Sequence, residues 1–139
     1  MNKQIKYDIA YMKMAKIWSE LSYCKRKQVG ALIVKDGIII SDGYNGTPHG
    51  MENNCEDCND KTHWYVLHAE ANAITKLAKS TVSSVNSTLY VTLSPCIECC
   101  KLIIQSGIKR VVYNEQYRDT TGIDFLLKNN IIVEQCEIE

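Results

Sequence analysis

Residues 89–113 read LYVTLSPCIECCKLIIQSGIKRVVY: an apolar run, a helix start and a second apolar run in succession. Residues 89–93 predict a strand. Pro95 sits where a helix opens, and residues 96–106 continue it, followed by a strand over 111–113. A strand, a helix and a second strand in this order imply a right-handed crossover and parallel pairing. Working outward, residues 69–79 are alanine-rich and predict a helix; residues 123–128 predict another, and 131–133 a further strand. Toward the N-terminus, residues 29–34 predict a strand. Lys35-Asp36-Gly37 marks a tight turn into Ile38-Ile39-Ile40, so an antiparallel hairpin precedes the parallel half. Ile5, Ile9, Met12, Ile17 and Leu21 space out an amphipathic helix over residues 4–22. Residues 43–61 hold glycines, a proline, asparagines and two cysteines without apolar period, which marks an irregular excursion of the kind that carries function. No repeat, linker or low-complexity segment interrupts this order.

The chain has 139 residues, 45% hydrophobic and 23% charged, enough for one domain with a core of its own and unlike a disordered segment. Sixteen basic residues balance sixteen acidic ones. Such balance disfavours a polyanionic partner and favours a small substrate. There is no apolar run of membrane-spanning length and no secretory leader in the opening residues, so a cytoplasmic protein without membrane or nucleic-acid partners is expected. Seven cysteines are many for this length and cannot all pair with one another. In a reducing compartment metal binding or plain burial explains such enrichment better.

Two short motifs carry chemistry. His68-Ala69-Glu70 is followed, after 24 intervening residues, by Pro95-Cys96-Ile97-Glu98-Cys99. One imidazole and two thiolates hold zinc well, and a catalytic site leaves the fourth position to water, which the metal makes available as hydroxide near neutral pH. Cys96 and Cys99, three apart at a helix start, reach one ion, and unpaired amides there favour their thiolates. Glu70, two residues after His68, falls beside the metal and suits a proton shuttle between water, ring nitrogen and departing amine. A lone histidine or a lone C-x-x-C is more often structural, redox-active or buried. The combination of H-x-E with P-C-x-x-C is the known signature of zinc-dependent nucleobase deaminases.

His68-Ala69-Glu70-Ala71-Asn72-Ala73-Ile74 and Ser94-Pro95-Cys96-Ile97-Glu98-Cys99-Cys100 closely resemble the cytidine and deoxycytidylate deaminase superfamily. Val29-Gly30-Ala31 and Gly43-Tyr44-Asn45-Gly46-Thr47-Pro48-His49-Gly50 resemble its deoxycytidylate branch. The resemblance spans about residues 20–120, judged by motif context. It implies a three-layer α/β/α fold around a five-stranded mixed sheet, hydrolysis of dCMP to dUMP and ammonia in support of thymidylate synthesis, and a homo-oligomer, commonly a hexamer. It further implies zinc on His68, Cys96 and Cys99, and Glu70 as proton shuttle. Asn45 would contact the sugar, with Ala69 at the substrate. Residues 43–50 would receive the effectors dCTP (activating) and dTTP (inhibiting), accompanied by Mg2+. Gly43, Tyr44, Asn45, Gly46 and Gly50 are the effector candidates.

Substrate phosphate needs a cation, and the chain has three arginines, Arg26, Arg110 and Arg118. Arg118, after the fourth strand, is the candidate, because ligands of such folds gather at the carboxyl ends of strands; Tyr117 would stack beside it. A solvated surface arginine is the plain alternative. Arg26 could serve phosphate or effector instead. Cys55-Glu56-Asp57-Cys58 has ligand spacing, and with Cys24 or His63 it makes a candidate second, structural zinc site. Cys100 and Cys136 read as ordinary thiols. Rival readings are a tRNA adenosine deaminase, against which stand the neutral charge and the 43–50 loop, a free cytidine or riboflavin-precursor deaminase, and a catalytically dead zinc module, which an intact Glu70 disfavours.

Overall fold

The computed structural model describes residues 2–138. The elements are α1 (Lys3–Ser19), β1 (Gly30–Lys35), β2 (Ile38–Tyr44), α2 (Ala69–Leu77), β3 (Thr88–Leu93), α3 (Ile97–Gln105), β4 (Arg110–Glu115), α4 (Thr121–Lys128) and β5 (Ile132–Gln135). They build one five-stranded sheet in the order β2-β1-β3-β4-β5. β1 pairs antiparallel with β2 and β3, while β3, β4 and β5 run parallel. The hairpin closes through Asp36 and Gly37, both at positive φ (51° and 74°), as an Asp-Gly turn requires.

Successive residues of the central strands point to opposite faces, and the two faces have separate cores. Ala31, Ile33, Leu89, Val91, Val111 and Tyr113 face one side, where α2 supplies Ala69, Ala73 and Leu77, α3 supplies Cys100 and Ile103, and α4 supplies Ile123 and Leu126. Leu32, Val34, Tyr90 and Val112 face the other side and meet Met12 and Ala15 of α1. The result is the three-layer arrangement. Two glycines set its spacing: a Cβ on Gly30 would lie 1.9 Å from the Ala15 carbonyl, and one on Gly43 would lie 2.6 Å from the Ala69 carbonyl. At Gly43 the backbone of β2 therefore touches the first turn of α2, the turn that carries His68 and Glu70.

The first helix forms where the apolar spacing places it, but it turns a different face inward. Its buried residues are Asp8, Met12, Ala15 and Ser19, whereas Ile5, Ile17 and Leu21 are 48%, 57% and 50% exposed. Close approach to Gly30 demands small residues at 15 and 19, and Asp8 is drawn in by a partner. Its carboxylate receives two hydrogen bonds from Arg110, at 3.0 and 2.6 Å, and one from the Tyr90 hydroxyl at 2.6 Å. Glu134 of β5 takes the Arg110 Nε at 2.7 Å. Burial raises the Asp8 carboxyl, yet the hydrogen bonds from Arg110, Tyr90 and Gln4 outweigh it and hold Asp8 below its usual range. The folded value lies below the unfolded one, so this contribution is in place above the unfolded value and is lost as pH falls through the folded one.

Arg110→Ala strands a buried carboxylate and should cost about 3–5 kcal/mol. Thermal melting should fall by roughly 10 °C, and an Asp8→Leu/Arg110→Leu pair should recover part of the loss. An unchanged melting temperature for Arg110→Ala would contradict this account of how α1 is held.

Candidate active site

Two helices begin side by side and bring the motifs together. His68 is the N-cap of α2 and Cys96 the N-cap of α3, both in extended backbone (φ −72° and −74°). Each helix contributes a further residue from its first turn, Glu70 and Cys99. His68 Nδ1 lies 3.3 Å from Cys99 Sγ and 3.5 Å from Cys96 Sγ. The three donor atoms all fall within 4.8 Å of one another. Zn–N bonds near 2.1 Å and Zn–S bonds near 2.3 Å in a tetrahedron put adjacent ligand atoms about 3.6 Å apart. The donor set therefore fits zinc in both type and spacing, with room for a fourth ligand on the open side.

Electrostatics set the acidic groups at the two helix starts apart. Hydrogen bonding from Cys99, and then from His68, lowers the Cys96 thiol to about 3, so Cys96 is the thiolate of the pair. The same contact with Cys96, reinforced by burial, raises Cys99. His68 is raised, chiefly by its hydrogen bond with Cys96. Glu70 is 4% exposed, and burial pushes its carboxyl up to about 7. A carboxyl balanced near neutrality can take up a proton and give it back. Cys100 is different: burial pushes it up to about 12, and its thiol donates to the Gly122 carbonyl at 3.3 Å. It is an inert packing residue, as the sequence suggests.

These groups open into a cavity of about 330 Å³. His68, Ala69, Glu70 and Cys96 form its floor, and Asn45 and Tyr117 contribute to its sides. Tyr117 is held there because its backbone N–H donates to Ser94 Oγ at 2.7 Å, and Ser94 lines the cavity as well. Arg26 and Lys27 form the cationic part of the wall; Arg118, the arginine favoured from sequence, is not among the lining residues. Lys27, Glu56, Thr62 and Ser94 escaped the sequence reading. They come from irregular segments with no periodicity to betray which way they face.

Asn45 is 9% exposed, and its side chain makes one accepting and one donating bond within the chain. Its Oδ1 accepts from Val29 N at 2.9 Å and its Nδ2 donates to the Lys27 carbonyl at 2.7 Å. It thus fixes the rear of the cationic wall while facing the cavity. A second cavity of about 270 Å³ is lined by Gly43, Tyr44, Asn45, Gly46 and Gly50, with Lys76 and Tyr23 beside them. Of the effector candidates, Arg26 alone lies elsewhere, in the first cavity.

The second zinc site is not formed. Cys24 and Cys55 are joined in a disulfide, which leaves no thiolate for a metal. Cys58 is exposed and free, and His63 stacks on Tyr65 with ring centroids 4.8 Å apart. Among the described residues, His68, Cys96 and Cys99 are the group that could hold a metal. No helix among them is long and apolar enough to cross a membrane.

Known proteins share these features. A deoxycytidylate deaminase of Saccharomyces cerevisiae is 37% identical over 93% of this chain, which spans 44% of the yeast protein's length. A deoxycytidylate deaminase of Enterobacteria phage T4 is 35% identical over 85% of this chain and 83% of its own. The crystal structure of a dCMP deaminase from cyanophage S-TIM5, in complex with dCMP and dUMP, superposes with a TM-score of 0.90 at 48% identity, covering 97% of this chain and 98% of that one. The family model for the cytidine and deoxycytidylate deaminase zinc-binding region matches residues 5–115, a span that holds both helix starts and the hairpin packed on α2, and the chain belongs to that family.

Proposed function

We propose that the protein hydrolyses dCMP to dUMP and ammonia. The observation that carries this reading is a single cavity with a zinc-type donor set and a buried carboxylate on its floor and two cations, Arg26 and Lys27, on its wall. A monophosphate brings nearly two negative charges, and cations on the wall give it a counterpart that deoxycytidine cannot use. The likeness to the cyanophage dCMP deaminase over nearly the whole of both chains supports the same substrate.

His68, Cys96 and Cys99 would hold Zn2+, which supplies a nucleophile from water at neutral pH. Glu70 takes one proton from water and delivers it to the ring nitrogen beside C4. Oxygen adds at C4, and the C4–N bond breaks once the departing amine has received the second proton. Water thus contributes its oxygen to the carbonyl of dUMP, and ammonia leaves. Tyr117, anchored by Ser94, offers a ring edge or face to the base, and Asn45 keeps the sugar side of the wall in place.

Effector control by dCTP and dTTP with Mg2+ belongs to the same reading. It is supported by the second cavity, lined by Gly43, Tyr44, Gly46 and Gly50 with the cation Lys76 beside them, and by Asn45, which borders both cavities. Self-association, in the hexamer the family resemblance implies, is supported by the exposed apolar residues Ile5, Tyr7 and Ile17 of α1 and Leu21 just beyond it.

An ammonia-release assay across dCMP, CMP, deoxycytidine, dCTP and a tRNA anticodon stem, with and without dCTP as effector, tests the reading; preference for deoxycytidine or the stem would overturn it. Arg26→Ala/Lys27→Ala should cost dCMP about 1.5–3 kcal/mol in kcat/KM, roughly 10- to 150-fold, the value of hydrogen bonds to charged groups. Deoxycytidine turnover should stay the same, because a folding defect would depress both substrates. Equal losses on the two substrates would remove Arg26 and Lys27 from the phosphate site.

A further inference from the structure

Glu56 is a charged residue only 6% exposed, in an excursion that is otherwise largely open to solvent. One of its oxygens, Oε2, accepts two backbone hydrogen bonds, from Lys25 N at 2.9 Å and from Arg26 N at 3.2 Å. Its neighbour Cys55 is bonded to Cys24, so a covalent link and two hydrogen bonds join the same two short segments. Glu56 also borders the substrate cavity, as do Arg26 and Lys27.

Between the end of α1 at Ser19 and the start of β1 at Gly30 the chain has no helix or strand ladder to hold it. Three consecutive cations, Lys25, Arg26 and Lys27, occupy the middle of this connection, and like charges spread such a segment apart. Asn45 secures the segment at Lys27 and Val29. Glu56 secures it at Lys25 and Arg26, with a negative charge that offsets part of their repulsion. Without Glu56 the segment would keep its ties on either side, the disulfide at Cys24 and Asn45 at Lys27, while the Lys25 and Arg26 N–H groups would lose the acceptor that fixes them and the direction of the Arg26 side chain would be free to vary.

We propose that Glu56 is a positioning residue for phosphate recognition: by fixing the Lys25 and Arg26 backbone it aims the cationic wall into the cavity, and so sets the preference for a phosphorylated over an unphosphorylated cytosine nucleoside. This rests on the dCMP reading given above. The required chemistry is a fixed acceptor oxygen. Gln keeps such an oxygen in place for both N–H groups, Ala removes it, and Asp withdraws it by one methylene while keeping the charge.

The test is steady-state deamination of dCMP and deoxycytidine by the zinc-loaded full chain. Glu56→Ala and Glu56→Asp should each lower kcat/KM for dCMP about tenfold, through KM, the size of one lost charge-assisted hydrogen-bond arrangement. Deoxycytidine should change little, and Glu56→Gln should stay within about threefold of the parent, since a neutral acceptor retains roughly half the strength of such a bond. Added to Arg26→Ala/Lys27→Ala, Glu56→Ala should cost no further selectivity, because the residue acts through that wall. Should Glu56→Ala fail to fold, the Asp and Gln variants carry the comparison. Parallel losses on both substrates, an unchanged dCMP preference in Glu56→Asp, or a Gln variant as impaired as the Asp variant would each overturn the proposal. If Arg26→Ala/Lys27→Ala costs dCMP turnover and the Glu56 variants do not, the phosphate reading survives and this proposal alone fails; if neither set has an effect, both fail.

Discussion

Glu70→Ala should retain one zinc per chain and lose dCMP turnover by about 10⁴-fold, the upper range for a positioned general acid–base group. Glu70 sits in the first turn of α2, two residues beyond His68, buried to 4% exposure and outside the triangle of donor atoms. Its removal leaves His68, Cys96 and Cys99 in place, so metal content should not follow activity. Nor should stability fall steeply, since burying a carboxyl in a site that raises it to about 7 is itself unfavourable. Glu70→Gln makes the comparison cleaner: it keeps the volume and removes only the exchangeable proton, so its loss should approach that of Ala. Elemental analysis together with single-turnover deamination checks both halves. A variant that loses stoichiometric zinc would make Glu70 a ligand, and one that retains turnover would move the proton shuttle to another group.

The parts of this site that were legible in the sequence are those confined to one helical turn. His68 with Glu70, and Cys96 with Cys99, have mutual positions that local geometry fixes, and the strand-helix-strand run around Pro95 places the cysteines beyond the carboxyl end of the central strand β3, where a cavity belongs. The sheet itself was legible for a similar reason: the short apolar runs in β1, β3 and β4, buried on both faces, and an Asp-Gly turn are local signals. The cationic wall was not. Arg26 and Lys27 lie in an irregular connection, and what turns them inward is Glu56 from a segment about thirty residues away and Asn45 from the end of β2. A strand-end argument placed Arg118 first and left Arg26 only as an alternative for phosphate or effector, because position along an element is readable and the path of a loop is not. Cys24 and Cys55 illustrate the same limit, since their separation of 31 residues is compatible with a shared metal or a direct bond, and only their meeting in space decides. The inward face of α1 misled for a different cause. Apolar spacing assumes that the buried face is the greasy one, whereas Gly30 and Arg110 made Ala15, Ser19 and Asp8 the better fit.

Cys99→Ala and Cys96→Ala should each lose both metal and activity, and the reason lies in how little redundancy the donor set has. Three protein atoms would hold the ion, and the fourth position must stay open for water. Altering a group that merely orients a ligand commonly costs 10- to 100-fold in metal affinity, so removing a ligand outright should cost more than about 100-fold. The two cysteines differ in setting, which gives the prediction a second arm. Cys99 is 3% exposed and packed within the first turn of α3, so its loss also empties a small buried volume. Cys96 is half-buried at the cavity, and its thiolate depends on Cys99 and His68. Melting followed with and without added zinc separates metal from packing. A ligand that binds only the folded chain stabilises it by RT ln(1 + [L]/Kd), so the parent protein should melt higher when zinc is supplied. Both variants should show little of that zinc-dependent rise, and metal-free Cys99→Ala should melt below the metal-free parent by more than Cys96→Ala does. A fully metallated, active Cys99→Ala would place the metal elsewhere in the fold.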